Sequence, residues 1–208
     1  MKKIFFLVAL AISMNVLAQK ESHQFIGKHL VRADASIVQG NMLNNAIKNV
    51  HLNGNLEYYL DNFISIRGDA NWMAGSKGVS GTSIGLKENY SVLLGSVFHI
   101  QTNSSFDPYF IFQPGVAYVS TYYSNNNELL LQIAPQRTYY NAALCPLGTA
   151  GLGFNYYFQR FAHLFAEGRY VYGNSLSQAP QPISLQEIRI TFGLGFNLFI
   201  IKDKGNKS

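Results

Sequence analysis

The feature that most constrains this chain is an alternation of apolar and polar residues with period two, which returns eight times along its length. Successive side chains of a strand point to opposite faces, so this pattern marks half-buried strands rather than helices. The stretches fall at 25–38, 48–59, 62–73, 88–101, 108–121, 146–158, 162–173 and 184–199. Each is longer than the roughly 9–11 tilted residues with which a strand crosses a bilayer. The connections alternate too. Those around Asp61, from Thr102 to Asp107 and from Gln159 to Phe161 are short. Those at 39–47, 74–87, 122–145 and 174–183 are longer and include stretches rich in Gly, Ser and Asn. An even number of strands with short turns on one side predicts an all-β fold, an eight-stranded antiparallel up-and-down barrel with both termini at the short-turn end.

Alternation alone does not say which face is inside. Val31, Ala33, Ala35 and Ile37 oppose Arg32, Asp34 and Ser36; Leu52, Leu56 and Tyr58 oppose Asn53, Asn55 and Glu57; Ile66, Ala70 and Trp72 oppose Arg67, Asp69 and Asn71. The last two stretches set Glu167, Arg169, Glu187 and Arg189 against Leu164, Tyr170, Ile188 and Phe192. A soluble barrel would turn the polar face to water, and that face would carry several lysines. No lysine lies mid-stretch; Lys28, Lys48 and Lys87 stand at or near the ends. The mid-stretch charges are Arg32, Arg67, Arg169 and Arg189 with Asp34, Glu57, Asp69, Glu167 and Glu187. A near-balanced, arginine-rich set suits a narrow lumen in which each charge has a partner. The apolar face then meets lipid, which makes the barrel transmembrane.

Aromatic placement agrees. Trp72, Tyr90, Tyr118, Tyr122, Tyr170 and Tyr172 fall near the long-loop end of the apolar face, and Tyr58, Phe98, Phe110, Phe158 and Phe199 near the short-turn end. Two such girdles around an aliphatic band fit the two lipid interfaces. Parity also turns Leu93, Val97 and Ile111 inward, together with Gly95, Gly115, Gly151, Gly153, Gly193 and Gly195. Eight strands leave a lumen that side chains just fill, and glycines make room in it.

The ends define compartment and domains. Lys2 and Lys3, the apolar run Ile4 to Ile12 and the small residues Val16 and Ala18 predict a signal peptide over 1–18, cleaved near Ala18, ahead of a barrel domain at 19–208. Loss of Lys2 and Lys3 takes the formal charge of +5 to about +3, too small an excess to argue for nucleic acid. The lone Cys145 has no intramolecular disulfide partner.

At this point the mature chain resembles the small OmpA-like and OmpX-like outer-membrane β-barrels. The resemblance rests on the eight amphipathic stretches, the Arg/acid pattern and the closing stretch from Ile188 to Phe199. It implies residence in the outer membrane of a Gram-negative-type bacterium. One departure is the short basic tail from Ile200 to Ser208, because family members often end on an aromatic residue.

Candidate chemistry is sparse. Arg67, Gly68 and Asp69 match an adhesion tripeptide, but they lie mid-stretch with both charges aimed inward, which reads as a lumen ion pair. His51, His99 and His163 face inward as polar filling, without metal-ligand spacing. A lipid A-modifying hydrolase needs an outward-facing Ser, His and acid together, and none is readable; His29 faces out alone. The Gly-rich stretch 75–85 lacks a phosphate loop's ending. Cys145 reads as an inert thiol at the top of its stretch. The sequence therefore predicts a non-enzymatic barrel without cofactor or metal. It would be embedded in outer-membrane lipid, with its outer loops, chiefly 122–145, as a contact surface for a host or cell-surface ligand. A narrow pore is the alternative, and a lipid A-modifying enzyme a more distant one.

Overall fold

The computed structural model describes residues 27–44, 47–78, 84–102, 104–125, 136–174, 176 and 183–200. The expected signal peptide and cleavage site, the middle of the third outer loop, the tail after Ile200 and the side chain of Phe199 lie outside what is described.

Eight long strands make the wall: β1 (Leu30–Met42), β2 (Ile47–Tyr59), β3 (Ile64–Gly78), β4 (Ile84–His99), β5 (Phe106–Asn125), β7 (Ala143–Tyr157), β8 (Ala162–Gly173) and β9 (Glu187–Ile200). A four-residue strand, β6 (Gln136–Tyr139), pairs with the outer end of β5. The wall runs β4-β3-β2-β1-β9-β8-β7-β5, antiparallel throughout, and pairing of β4 with β5 closes it into a ring. Closure removes the sheet edges, so the wall bonds its own backbone and leaves no ladder of open N–H and C=O groups to lipid.

The alternation sorts the side chains as the fold requires. Ile37, Leu52, Leu56, Val92, Leu94, Phe112, Leu152, Leu164 and Phe192 stand on the outer face. Arg32, Glu57, Arg67, Asp69, Glu187 and Arg189 are almost wholly buried inside. Trp72, Tyr90 and Tyr118 occupy one cross-strand row, with ring centroids 4.3 and 6.4 Å apart, and Tyr170 and Tyr172 are exposed on β8. Toward the short turns, Phe98 lies opposite Phe110, and the Tyr58 hydroxyl sits 2.6 Å from His29 Nδ1. Phe158 lies half-buried in the bend after β7.

Several boundaries differ from those read in the sequence. The first strand begins at Leu30, not 25, because Gly27–His29 form a turn in which His29 takes a left-handed backbone (φ 66°). β1 runs on to Met42, which reduces the first outer loop to residues 43–46. The second outer loop shrinks from 74–87 to 79–83. The physical reason is a pair of β-bulges, one where β3 passes Val50 and His51 and one between Leu86 and Glu88 of β4. A bulge switches the phase of the alternation, so the strand seems to end while its ladder continues. The third loop is likewise shortened by the outer part of β5 and by β6. Asp107, placed in a turn by the sequence, is a buried strand residue of β5.

Phe192 sits far from both ends of β9 and is 65% exposed on the outer face. Phe192→Arg should cost about 2–4 kcal/mol, as for a cation at the bilayer midplane. Equilibrium urea unfolding in lipid vesicles measures this; tolerance like that of an interior position would invert the assignment of faces.

Candidate functional site

The lumen is where this sequence spends its unusual residues. All nine charged residues singled out above are buried there, and Asp107 adds a sixth acid against the four arginines. They form three tiers.

The tier at the short-turn end centres on Arg32. It donates to Glu57, to Tyr59 Oη at 2.9 Å and to Tyr157 Oη at 3.0 Å, with Asp34 3.6 Å from its Nε. His99 lies between two carboxylates. Its Nδ1 is 2.9 Å from Asp107 Oδ1, and its Nε2 is 2.9 Å from Glu57 Oε1. A ring with a proton on each nitrogen satisfies both contacts. Asn155 donates to Asp107 at 2.7 Å, and His163 Nε2 is 3.2 Å from Asp34 Oδ1.

The middle tier ties three strands together, β3, β5 and β8. Arg67 (β3) donates to Asp69 on its own strand and to Glu167 on β8, both at 3.0 Å. Arg169 donates to Glu167, to Gln113 Oε1 at 2.6 Å and to Asp69 at 3.1 Å. Gln113 in turn donates to Asp69 at 2.6 Å, and Tyr109 to Glu167 at 2.9 Å. Asn55 links this tier to the first, donating to Asp34 and accepting from Arg67, each at 2.9 Å. Above it, Arg189 and Asn49 hold Glu187 at 2.7 and 2.9 Å, and His51 Nε2 lies 3.8 Å from it. Glycines admit these bulky groups. A Cβ on Gly195 would fall 2.0 Å from Asp34 Oδ1, and one on Gly95 would fall 2.2 Å from the Phe112 carbonyl oxygen. A residual cavity of about 10 Å³, lined by Asp69, Glu167, Arg169 and Arg189 among others, has room for about one water.

Beyond the three charged tiers the filling is apolar. At the long-loop end the lumen is filled by Met42, Ile47, Leu86, Leu93, Val119, Cys145, Leu147 and Val171. Ile183 and Leu185 of the segment leading into β9 fold back into this mouth, where Leu185 donates its N–H to the Gly173 carbonyl at 2.9 Å. Cys145, read as lying at the top of its strand, is a fully buried part of this plug. Of this plug, parity turns Leu93 inward, whereas Leu86 and Ile183 reach it through a bulge and a loop that parity does not show.

One constellation was missed. Ser65 Oγ, His99 Nε2 and Nδ1, and Asp107 Oδ1 are linked at 3.1 and 2.9 Å, the order and spacing of a Ser-His-Asp triad. Counting back by twos from inward Ile111 would have turned Asp107 inward and revealed it. Its environment does not suit catalysis. The Ser65 hydroxyl donates to Glu57 instead of to the imidazole, and Ser65 and His99 are buried within the lumen. A nucleophile needs a base to take its proton and room for a carbonyl beside it. Among the described residues, no cluster of three or more His, Cys, Asp or Glu is arranged to hold a metal ion.

No protein-family model matches this chain, and no curated protein matches it either. Solved structures do. The outer membrane protein OprG from Pseudomonas aeruginosa aligns with a TM-score of 0.58 at 11% identity, over 85% of this chain and 99% of that one. Neisserial surface protein A aligns with a TM-score of 0.53 at 14% identity, over 81% of this chain and 96% of that one. The fold is that of the small eight-stranded outer-membrane barrels. In outer-membrane barrels of this architecture the short turns lie at the periplasmic end and the long loops face outward.

Two predictions follow from the packing of the lumen. Arg67→Met should lower stability by about 3–5 kcal/mol, because Asp69 and Glu167 would each lose a buried partner. Urea titration of the refolded barrel gives the value. Gly95→Ala should cost at least about 1–3 kcal/mol, because the clash is with backbone that cannot step aside. Gly54→Ala, whose nearest neighbour is at 4.0 Å, should leave the same titration nearly unmoved.

Proposed function

We propose that this protein is a closed, non-conducting outer-membrane barrel, exported on a signal peptide at 1–18, that presents its outer segments as a contact surface. The observation that carries this reading is the occupied lumen. Three charged tiers cross-link the strands, and an apolar plug of Leu93, Leu147, Ile183, Leu185 and their neighbours fills the outer mouth. Hydrated ions do not cross a dry aliphatic constriction without a rearrangement that costs several kcal/mol. Rigidity then serves the surface. A wall tied from inside holds the ends of the outer segments at fixed positions, which lowers the ordering cost of a recognition event. The third outer segment, with its Tyr-rich flanks at Tyr122, Tyr123, Tyr139 and Tyr140, is the contact surface of choice, since tyrosine brings large contact area at low entropic cost. The two aromatic rows set the barrel in the bilayer, and surface ligands of a host or a neighbouring cell are the partners this arrangement suits.

The expected result in planar bilayers is no steady conductance. A steady conductance that changes on Arg67→Ala would overturn the proposal in favour of a narrow pore. Replacing residues 126–135 with a Gly-Ser linker should abolish adherence of the expressing cells to immobilised matrix protein while the folded band of unheated gel samples persists. Unchanged adherence would remove this segment from the contact surface.

A further inference from the structure

One flank of the outer end is basic. Lys48 on β2, Lys77 on β3, Lys87 on β4 and Arg137 on β6 are all exposed there. The outer ends of β1, β7, β8 and β9 carry no exposed lysine or arginine among the described residues. Lys48 and Lys77 lie directly opposite each other in the β2–β3 ladder, on the outer face. Directly opposed like charges destabilise a ladder. Among the described residues, the ion pair found on this flank is Lys87–Glu88, at 3.9 Å, and neither Lys48 nor Lys77 has a carboxylate partner.

Two of these side chains point outward only because of the bulges. Trp72 faces out, so strict alternation would turn Lys77 into the lumen; the bulge at Val50/His51 shifts the phase by one residue and brings Lys77 out beside Lys48. Strict alternation from Tyr90 would likewise bury Lys87. The bulge between Leu86 and Glu88 sends Leu86 into the apolar plug and leaves Lys87 outside. Bulges of this kind re-aim side chains. Aromatic rings then hold the outer pair of cations: the Arg137 guanidinium lies 4.9 Å from the Tyr122 ring, Lys87 Nζ lies 5.5 Å from the Tyr139 ring, and the two rings are 6.0 Å apart.

Height in the membrane identifies the ligand. Trp72, opposite Leu52, belongs to the Trp72–Tyr90–Tyr118 row, and such rings mark the headgroup level. Lys48 is four residues further along β2, roughly 13 Å outward along the strand. The lysines therefore continue the lipid-facing surface at the depth of the polar layer, and they point sideways into it rather than up into solvent. We propose that this flank binds a phosphate-bearing lipid headgroup of the outer leaflet, with Lys48 and Lys77 astride one phosphate and Lys87 and Arg137 completing a basic arc. The anion offsets the repulsion between the paired lysines. The proposal rests on the outer-membrane reading given above.

The test uses the full mature barrel in phosphatidylcholine nanodiscs containing a small fraction of bis-phosphorylated lipid A, with retained lipid counted by native mass spectrometry. The wild type should retain lipid A, and the K48Q/K77Q variant should retain it about 30-fold more weakly, the effect of two lysines beside an anionic surface. K28Q, at the periplasmic end, should behave as wild type. Unfolding supplies a second readout with a change of sign. In pure phosphatidylcholine K48Q should raise the urea midpoint by relieving the lysine repulsion, and with lipid A present it should lower it. Equal retention by wild type and K48Q/K77Q would overturn the proposal. So would full competition by millimolar inorganic phosphate, which would mark a site for free anions. Binding of a soluble sulfated oligosaccharide that K48Q/K77Q abolishes, with lipid retention unchanged, would assign the flank to a soluble glycan instead. Failure of the wild type to insert into any bilayer would overturn the outer-membrane reading, and this proposal with it.

Discussion

A backbone inside hydrocarbon has no water to bond to, so it must satisfy itself, and here the pairing of β4 with β5 completes that requirement. Most other features are consequences of closure at eight strands. The circumference fixes a lumen with room for side chains and little else. The inner face must therefore be packed as a protein core while being built from every second residue of strands whose other residues belong to lipid. Glycines at 95, 153, 193 and 195 meet this demand, each vacating the space that Gln113, Tyr109, Phe165 or His163 occupies.

The interior is charged and yet almost dry, which makes pairing compulsory. Arg67 and Arg169 share the carboxylates of Asp69 and Glu167, so that four charges on β3 and β8 form one compact unit. Such pairs add little net stability over an apolar core, but each fixes which residues can stand opposite one another. In a barrel the competing structures are register slips, and a slip by one residue would set these charges in lipid. The network thus specifies the register that closure requires. The apolar plug has a different task. Near the outer mouth the charges give way to Leu93, Leu147 and Ile183, and water is excluded from above without any ion pair. The Ser65–His99–Asp107 array belongs with the network: its geometry follows from packing a hydroxyl, an imidazole and two carboxylates in one tier.

Much of the candidate site was legible before any fold was known. The parity of Arg32, Asp34, Glu57, Arg67, Asp69, Glu167, Arg169, Glu187 and Arg189 put them on one face, and the scarcity of mid-strand lysine made that face an interior. Asp107 escaped because it stands where a turn seemed to be. Lys77, Lys87 and Leu86 escaped because parity counts fail beyond a bulge, and a bulge leaves no clear mark in composition.

The sequence by itself determined the architecture: period-two alternation, recurring eight times with alternating connections, admits few closed solutions, since a strand exposes its two faces strictly in turn. It also determined which face meets lipid, through the energetic difference between lysine in water and arginine in a paired interior. Tertiary structure alone decided who pairs with whom. Arg67 reaches Glu167, 100 positions away in sequence, because closure sets β3 and β8 four places apart in the eight-strand ring, facing each other across the lumen. It also decided that the outer mouth is plugged and that four cations gather on one flank, because both depend on bulges that exist only once two strands are in register.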